Sequence, residues 1–448
     1  LTWLFDGIAA LPANDAQVND LTIDSRDVHA GSLFFALHGQ RSHGLQFAAE
    51  AARRGASVVL WDPTDAPPEG PGAVENALTA NAAVFAAPVA GLRQLLGRIA
   101  DRFFGWPSAN LRIVGITGTN GKTTCAYLLA QSLQRVNSEA GFIGTIGWGR
   151  IGALETASGR RDAHTTPDVV SVHRRLSALR AQGVRDVAME VSSHALDQGR
   201  VDGVRFHCAA FTNLTRDHLD YHASMQDYGA AKARLFAVPD LQQLVINIGD
   251  AFGRDFARSY GGHVPLTAVW VGAGDSGWLG DRSLVAEDVR LDLHGISMAL
   301  RGSFGECHLT TRLLGRFNAE NSVIVIACLL GLGVALDAAA AALAGCAPPP
   351  GRMEVIEPAR GGKPLAVIDY AHTPDALAKA LRALKEHCRG ALWCVFGCGG
   401  DRDPGKRPLM GAVADEYADQ IIVTDDNPRS ENPQNITRGI TGGIKSHA

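Results

Sequence analysis

The chain has 448 residues, 46% of them hydrophobic and 20% charged, with a formal net charge of −4. This length suggests roughly two to four domains of a soluble globular protein. The slightly acidic balance gives no general attraction to nucleic acid or an anionic membrane, so charged ligands have to be held by local sites. Eight cysteines without a CxxC pair read as reduced, half-buried core thiols in a reducing, cytoplasmic compartment.

The opening LTWLFDGIAALPA has no basic region and carries Asp6, so it is not a secretory signal. Because the first residue is not Met, a trimmed or partial chain is expected. Two breaks follow: TDAPPEGPG (64–72), with the helical pattern GLRQLLGRIADRFFG (91–105) behind it, and GCAPPPGR (345–352). Three consecutive prolines end any helix. The breaks divide the chain into residues 1–108, 109–346 and 347–448. Beyond the first break, apolar runs at 111–117, 186–191, 208–214 and 244–250 alternate with amphipathic segments such as 169–183. The last part repeats the theme at 365–371, 391–397 and 420–426. Such alternation predicts an α/β fold of parallel sheets covered by helices, with ligands at the carboxyl ends of strands. The apolar run 322–344 is interrupted by Asp337, Gly331 and Gly333, so two packed helices are expected rather than a membrane span.

GITGTNGKTT (115–124) has the setting of a phosphate-binding loop: a strand before it and a helix after it. Glycines let backbone N–H groups turn towards phosphates, and the helix N-terminus adds its positive end. Gly118, Thr119, Asn120, Gly121, Lys122, Thr123 and Thr124 are the candidate ATP contacts, Lys122 for the β/γ-phosphates and Thr123 for Mg²⁺. Strict GxxxxGK[ST] spacing is not met, since Ile116 stands five residues before Gly121. A plain glycine-rich turn with a surface lysine is the bland alternative. Further along, MEVSSHAL places Glu190 at a strand end with His194 after it, and NLTRDHLDYH packs Asp217, His218, Asp220 and His222 into one turn region. A carboxylate and an imidazole from neighbouring strand ends are suited to completing a Mg²⁺ site.

TGTNGKTT, EVSSHAL, TNLTRDHLDYH, YxxAK, GRFNAEN, DYAHTPDAL and FGCGGDRDPGKRP, in this order, resemble the Mur ligase superfamily over essentially the whole chain. That family's phosphate loop shares the departure from strict spacing. The resemblance implies three α/β domains: a small N-terminal uridine-nucleotide domain, a central P-loop-type ATPase domain with a parallel sheet, and a C-terminal Rossmann-like domain that brings an amino acid. It implies an ATP-dependent amide-bond-forming ligase in peptidoglycan precursor synthesis, using ATP and Mg²⁺, acting as a monomer on small molecules, with no nucleic acid or membrane partner. Phosphorylating a substrate carboxylate creates an acyl phosphate that an amine displaces. Lys122, Glu190, His218 and Lys232 are the implied catalytic set; Thr123, Glu190, His218 and Lys232, the last as a carbamate, are the implied metal ligands. Asn318 and Asn321 match positions near the adenine, and Arg352 and Asp369 match nucleotide contacts. Helix capping is the bland account of the two asparagines.

TIDSRDVHAGSLFFALHG (22–39) resembles a uridine-binding segment, giving Ile23, Ser25, Gln40, Arg41 and Ser42 as candidates. An Asp–Arg ion pair in the DSR turn is compatible with this. His164, Thr165, Thr166, Ser192, Gln198 and Arg200 match positions for the sugar-peptide substrate. Asp426, Asn427, Pro428 and Arg429 form DNPR, the family mark of meso-diaminopimelate selection, with Arg402 the matching contact on a neighbouring loop. Diaminopimelate differs from lysine by one carboxylate, which an arginine pairs with bidentately. The chain stops at Ala448, before a Gly-Lys-Gly-His-Glu segment expected from the family, which suggests an incomplete final domain. Rival readings are a lysine-adding ligase, a folylpolyglutamate synthetase, which has no N-terminal uridine domain, and a P-loop kinase, which needs no amine.

Overall fold

A computed structural model describes residues 1–12, 14, 16–39, 42–66, 84–136, 139–155, 165–219, 221–272, 280, 282–356 and 364–445. The chain folds into two compact units, each assembled from separated stretches: Leu1–Thr117, Glu139–Ala209 and Arg216–Gln242 in the first, and Gly118–Ser138, Ala210–Thr215 and Gln243–Ala448 in the second.

In the first unit, β1 (Asp20–Thr22), β2 (Ser32–Phe35), β3 (Ala56–Trp61) and β4 (Phe85–Pro88) form a parallel sheet in chain order. The runs SLFF and ASVVLW are apolar at nearly every position because both faces are covered. Alternate residues feed separate cores: Leu33, Phe35, Val58 and Leu60 enter one, Phe34, Val59 and Trp61 the other. The helix Leu92–Phe103 closes the first of these with Leu92, Leu96, Ile99 and Ala100.

A second sheet in this unit runs β5 (Arg112–Thr117), β9 (Asp186–Glu190), β6 (Ala140–Gly144), β7 (Gly147–Arg150) and β8 (Ala153–Glu155). β9 pairs in parallel with β5 and β6, as the alternation predicts. β6, β7 and β8 are antiparallel, which it did not predict. Only Thr145 and Ile146 separate β6 from β7, and so short a connection joins antiparallel strands only. Asp186 is fully buried in β9 and takes Arg112 bidentately at 2.6 and 2.8 Å.

β10 (Cys208–Phe211) leads along the chain into the second unit. There β11 (Gln243–Asn247), β12 (Leu266–Val271) and β13 (Arg282–Asp292) are parallel, while β13, β14 (Gly295–Gly302) and β15 (Gly305–Thr311) form an antiparallel meander. The apolar run is two helices, Phe317–Gly331 and Leu336–Ala344, with Gly333 between them at φ +86°. No described helix is long and apolar enough to cross a membrane.

Further on, β16 (Glu354–Ile356) pairs antiparallel with β17 (Ala366–Ile368), against the parallel expectation; β18 (Trp393–Phe396) pairs in parallel with β19 (Gln420–Val423). Helices Pro374–His387 and Pro433–Thr441 each start with Pro at the first position behind a capping Thr373 or Asn432, where the missing N–H costs nothing. Their apolar faces, with Lys406–Tyr417, enclose Leu377, Leu381, Met410, Ile436 and Ile440. All eight cysteines are free, six of them buried.

A buried pair joins two helices of the first unit. His173, in Val169–Ala181, has its Nε2 2.9 Å from the Asp202 carbonyl, so that nitrogen carries the proton. Its Nδ1 lies 3.6 Å from Asp101 Oδ1, too far for a hydrogen bond, and neither atom has a hydrogen-bond partner among the described residues. Burial pushes Asp101 up to about 6 and His173 down to about 4. The raised carboxyl contributes stability present below its unfolded value of 3.8 and lost as pH rises through about 6. The lowered imidazole contributes stability present above 6.5 and lost as pH falls through about 4. The opposed slopes overlap and offset, since folded and unfolded pairs each hold about one proton there. His173→Phe removes one slope, so the variant should lose stability relative to wild type as pH rises from about 4 to 6. Urea midpoints of both proteins across that window check this; a difference constant with pH contradicts the opposed shifts.

Candidate active site

In the second unit the phosphate-loop backbone is fixed by the segment that follows β10. Thr119 N–H donates to the Asn213 carbonyl at 2.8 Å, Asn120 N–H to Asn213 Oδ1 at 3.0 Å, and Thr212 Oγ1 to the Asn120 carbonyl at 2.6 Å. Thr119 Oγ1 donates to the Thr215 carbonyl at 3.2 Å and accepts from its N–H at 3.0 Å. Gly118 (φ +148°) has no room for a side chain, because a Cβ would stand 1.9 Å from Thr212 Oγ1. Gly121 (φ +86°) is the N-cap of the helix Lys122–Arg135 and has no side chain with which to cap it. Uncapped N–H groups at the start of a 14-residue helix suit an anion. Lys122 Nζ crosses the loop, donating to the carbonyls of Gly118 at 2.9 Å and Thr119 at 2.8 Å. Thr123 and Thr124 occupy the first helical turn.

Asn318 and Asn321 are buried inside Phe317–Gly331 and do not cap it; Arg316 is the N-cap. Asn321 Nδ2 donates to Asn318 Oδ1 at 2.8 Å, and a Cβ on Gly121 would fall 2.4 Å from Asn321 Oδ1. The pair therefore backs the loop. Arg352 stacks over Tyr370 at 5.3 Å, and Asp369 accepts the N–H of neighbouring Met353 at 3.0 Å, so these two nucleotide candidates share a corner.

In the first unit, Glu190 ends β9 fully buried and accepts from Thr145 N–H at 2.8 Å and Thr145 Oγ1 at 3.2 Å. A Cβ on Gly144 would sit 2.1 Å from its carboxylate. Lys232 is 1% exposed in the helix Met225–Ala233, its Nζ 4.2 Å from the Tyr228 ring centre. His218 (φ +52°) stands edge-on to His194 at 4.8 Å. His222, held to Ser193 Oγ at 3.0 Å, is pushed below the usual imidazole range by burial. Among the described residues no group of three or more His, Cys, Asp or Glu is placed to hold a metal ion.

Beside Glu190 the substrate candidates converge. Thr166 Oγ1 donates to the Glu190 carbonyl at 2.9 Å and accepts from Ser192 N–H at 3.1 Å, while Thr165 Oγ1 lies 3.2 Å from Thr145 Oγ1, to which it can donate. Arg200 donates to the Thr166 carbonyl at 3.0 Å and, through two nitrogens, to Gln198 Oε1. Gln198 Nε2 donates to Tyr221 Oη, which donates to Asp197 at 2.7 Å. Ile23, Asp24, Gln198 and Arg200 line a cavity of about 300 Å³. Ser25 is buried in the adjoining turn, where Asp24 and Arg26 make the expected ion pair; Ser42 follows at a bend. Gln40, Arg41, His164 and Asp220 lie outside the described residues.

The loops after β18 and β19 carry the last candidates. Gly400 N–H donates to the Asn427 carbonyl at 2.8 Å, and a Cβ on Gly400 would fall 1.9 Å from the Pro428 carbonyl oxygen. Arg429 (φ +50°) donates from Nη1 to the Gly400 carbonyl. This closeness puts Asp426, Asn427, Pro428 and Arg429 beside the loop of Arg402. Thr145, Tyr221, Asp197, Arg407 and Glu431 were not anticipated. Tyr221 lay inside a recognised motif, whereas GFIGTIG around Thr145 offered no chemical signal.

Three parts of one family match in sequence: the Mur ligase family catalytic domain at residues 17–104, the Mur ligase middle domain at 116–329, and the Mur ligase glutamate ligase domain at 351–448. The chain belongs to the Mur ligase family. It has that family's three-domain α/β architecture, and it is an ATP-dependent, amide-bond-forming ligase. A UDP-N-acetylmuramoyl-L-alanyl-D-glutamate–2,6-diaminopimelate ligase of Alkalilimnicola ehrlichii is 48% identical over 433 residues, covering 96% of this chain and 84% of the relative. Its counterpart in Ectopseudomonas mendocina is 47% identical over 442 residues, with 97% and 85% covered. A solved structure of a ligase of the same description superposes with a TM-score of 0.70 at 32% identity, over 97% of this chain and 85% of that one.

Gly121→Ala tests the loop geometry. The strained φ and the contact with Asn321 should together cost at least about 1 kcal/mol, and nucleotide affinity should fall with the displaced N–H groups. Thermal unfolding and ATP titration measure both; unchanged values would remove Gly121 from this role.

Proposed function

We propose that this chain joins an amino group of meso-diaminopimelate to UDP-N-acetylmuramoyl-L-alanyl-D-glutamate at the expense of ATP, giving the nucleotide-linked tripeptide, ADP and phosphate. We assign residues 1–108 to the nucleotide-sugar substrate, 109–346 to ATP and 347–448 to the amino acid. The eight free cysteines support a reducing cytoplasm as the compartment.

The substrate carboxylate attacks the γ-phosphorus, the bond to the bridging β,γ-oxygen breaks, and ADP leaves. The amine then adds to the carbonyl carbon of the acyl phosphate, phosphate departs, and the nitrogen loses its proton. Charge accumulates on the transferring oxygens, so positioning and electrostatics carry the catalysis. Lys122 is assigned to those oxygens, with the N–H groups of the first helical turn. Its ammonium rests on two carbonyls, neutral acceptors that a phosphate outcompetes. Asn318 and Asn321 act here as support for the loop, with Arg352 and Asp369 as nucleotide contacts. Arg200, Gln198, Ser192, Thr165 and Thr166 are assigned to the sugar-peptide, together with Ile23, Ser25, Gln40, Arg41, Ser42 and His164.

In the first unit the Glu190 carboxylate is an oxygen donor of the kind magnesium takes, with the His218 imidazole beside it in the assignment; in the second unit the Thr123 hydroxyl is a separate oxygen donor. Lys232 would add to the donors of the first unit as a carbamate, which turns a buried amine into an oxygen ligand. When bound, the metal neutralises phosphate charge.

The observation that carries the choice of amino acid is Arg429, held by its left-handed backbone and the Gly400 carbonyl on a loop seated against that of Arg402. Lysine lacks the second carboxylate, and an arginine left without its partner loses roughly 1–3 kcal/mol. Phosphate release with ATP, Mg²⁺ and the nucleotide dipeptide should require diaminopimelate and run far slower with L-lysine. Arg429→Ala should narrow that preference to within about tenfold. Equal turnover of lysine and diaminopimelate by wild type would reject the specificity, and release without any amine would favour a kinase.

A further inference from the structure

The loops bearing Arg402 and Arg429 are joined by a closed ring of charged hydrogen bonds, none of which uses either arginine's guanidinium. Arg407, at the second position of the helix Lys406–Tyr417, is 7% exposed and donates from Nη2 to both Glu431 oxygens, at 2.8 and 2.9 Å. Glu431 Oε1 also accepts Asp401 N–H at 2.6 Å. Asp401 returns the connection, accepting Ser430 Oγ at 2.6 Å and Ser430 N–H at 3.3 Å. Hydrogen bonds from Arg407 and from Asp401 N–H hold the Glu431 carboxyl below the usual range.

The ring bears on two unfavourable conformations. Asp401 (φ +53°) directly precedes Arg402, and Arg429 (φ +50°) directly precedes Ser430. A side-chain-bearing residue stays in the left-handed region only where its surroundings over-determine it. Here Glu431 grips the Asp401 N–H from one loop while Asp401 grips Ser430 from the other. The ring therefore sets where both arginine stems leave the backbone. It also pairs Arg407 with a carboxylate, so that this arginine is already committed within the ring.

We infer that Glu431, anchored by Arg407, is a positioning residue for amino-acid selection, holding Arg402 and Arg429 at the spacing that grips the distal carboxylate. This rests on the reading above, in which the two arginines bind diaminopimelate.

The test is steady-state phosphate release by wild type, Glu431→Gln and Arg407→Lys, with diaminopimelate, ATP and the nucleotide dipeptide each varied in turn. Glu431→Gln keeps the shape but removes the charge that holds Arg407. It should raise KM for diaminopimelate on the order of tenfold, leaving KM for the other two substrates within about twofold. Arg407→Lys keeps the positive charge without the planar fork and should shift the same constant by a smaller factor. It also serves if the glutamine variant does not fold. An unmoved KM for diaminopimelate in both variants overturns the inference, as does an equal rise for all three substrates, which marks general loosening. Wild type that ignores diaminopimelate would instead overturn the underlying reading.

Discussion

The phosphate loop depends on one constraint: its backbone must present uncapped N–H groups without losing its shape. The N-cap at Gly121 has no side chain to cap the helix, so the loop is held from behind. Thr212, Asn213 and Thr215 take up the polar groups of Thr119 and Asn120 that face inward. That segment is anchored in turn, Asn247 Nδ2 donating to the Thr212 carbonyl at 2.8 Å and Leu214 N–H to Asp250 at 3.0 Å. The buried asparagines of Phe317–Gly331 close the remaining side. Dipoles fixed during folding need no reorganisation when charge moves on a bound phosphate.

Much of this was legible because it is written in local chemistry. Gly118 and Gly121 announce left-handed or crowded backbone, and a β-branched run followed by Gly-Lys-Thr announces strand, loop and helix. The apolar run split by Gly331 and Gly333 gives two helices for the same reason. Tertiary constraints left weaker traces. The β6–β7 hairpin hides in a glycine-rich stretch with no NG or DG turn, and β16–β17 is too short for periodicity to reveal its direction. Asn318 and Asn321 resemble caps in sequence, because burial and mutual bonding depend on what packs over them. Glu431 looks like one more surface acid until Arg407, from a separate helix, is brought to it.

Six cations of the described residues differ in what they rest on. Arg112, Arg174 and Arg407 rest on carboxylates: Asp186, Asp20 and Glu431. Lys122 rests on the Gly118 and Thr119 carbonyls, Arg200 on Gln198 Oε1 and the Thr166 carbonyl, and Arg429 on the Gly400 carbonyl. These three are candidates for an anionic part of a substrate, whereas Arg102, Arg180 and Lys406, which also rest on backbone carbonyls, are not.

The division has a physical reason. An arginine already paired with a carboxylate has its charge satisfied, and a ligand would have to break that pair to use it. A cation hydrogen-bonded to a neutral acceptor is oriented by it, and an incoming carboxylate or phosphate forms a stronger, charge-assisted bond than that acceptor does. Arg200 shows the cost of such readiness: burial pushes its guanidinium below the usual range, with only the more distant Asp168 and Tyr221 opposing. In a chain of net charge −4 there is no general field to gather anionic substrates. Recognition therefore falls to cations kept apart from the abundant carboxylates, and structural pairs such as Arg407–Glu431 let arginine build a loop without adding a competing charge to its binding face.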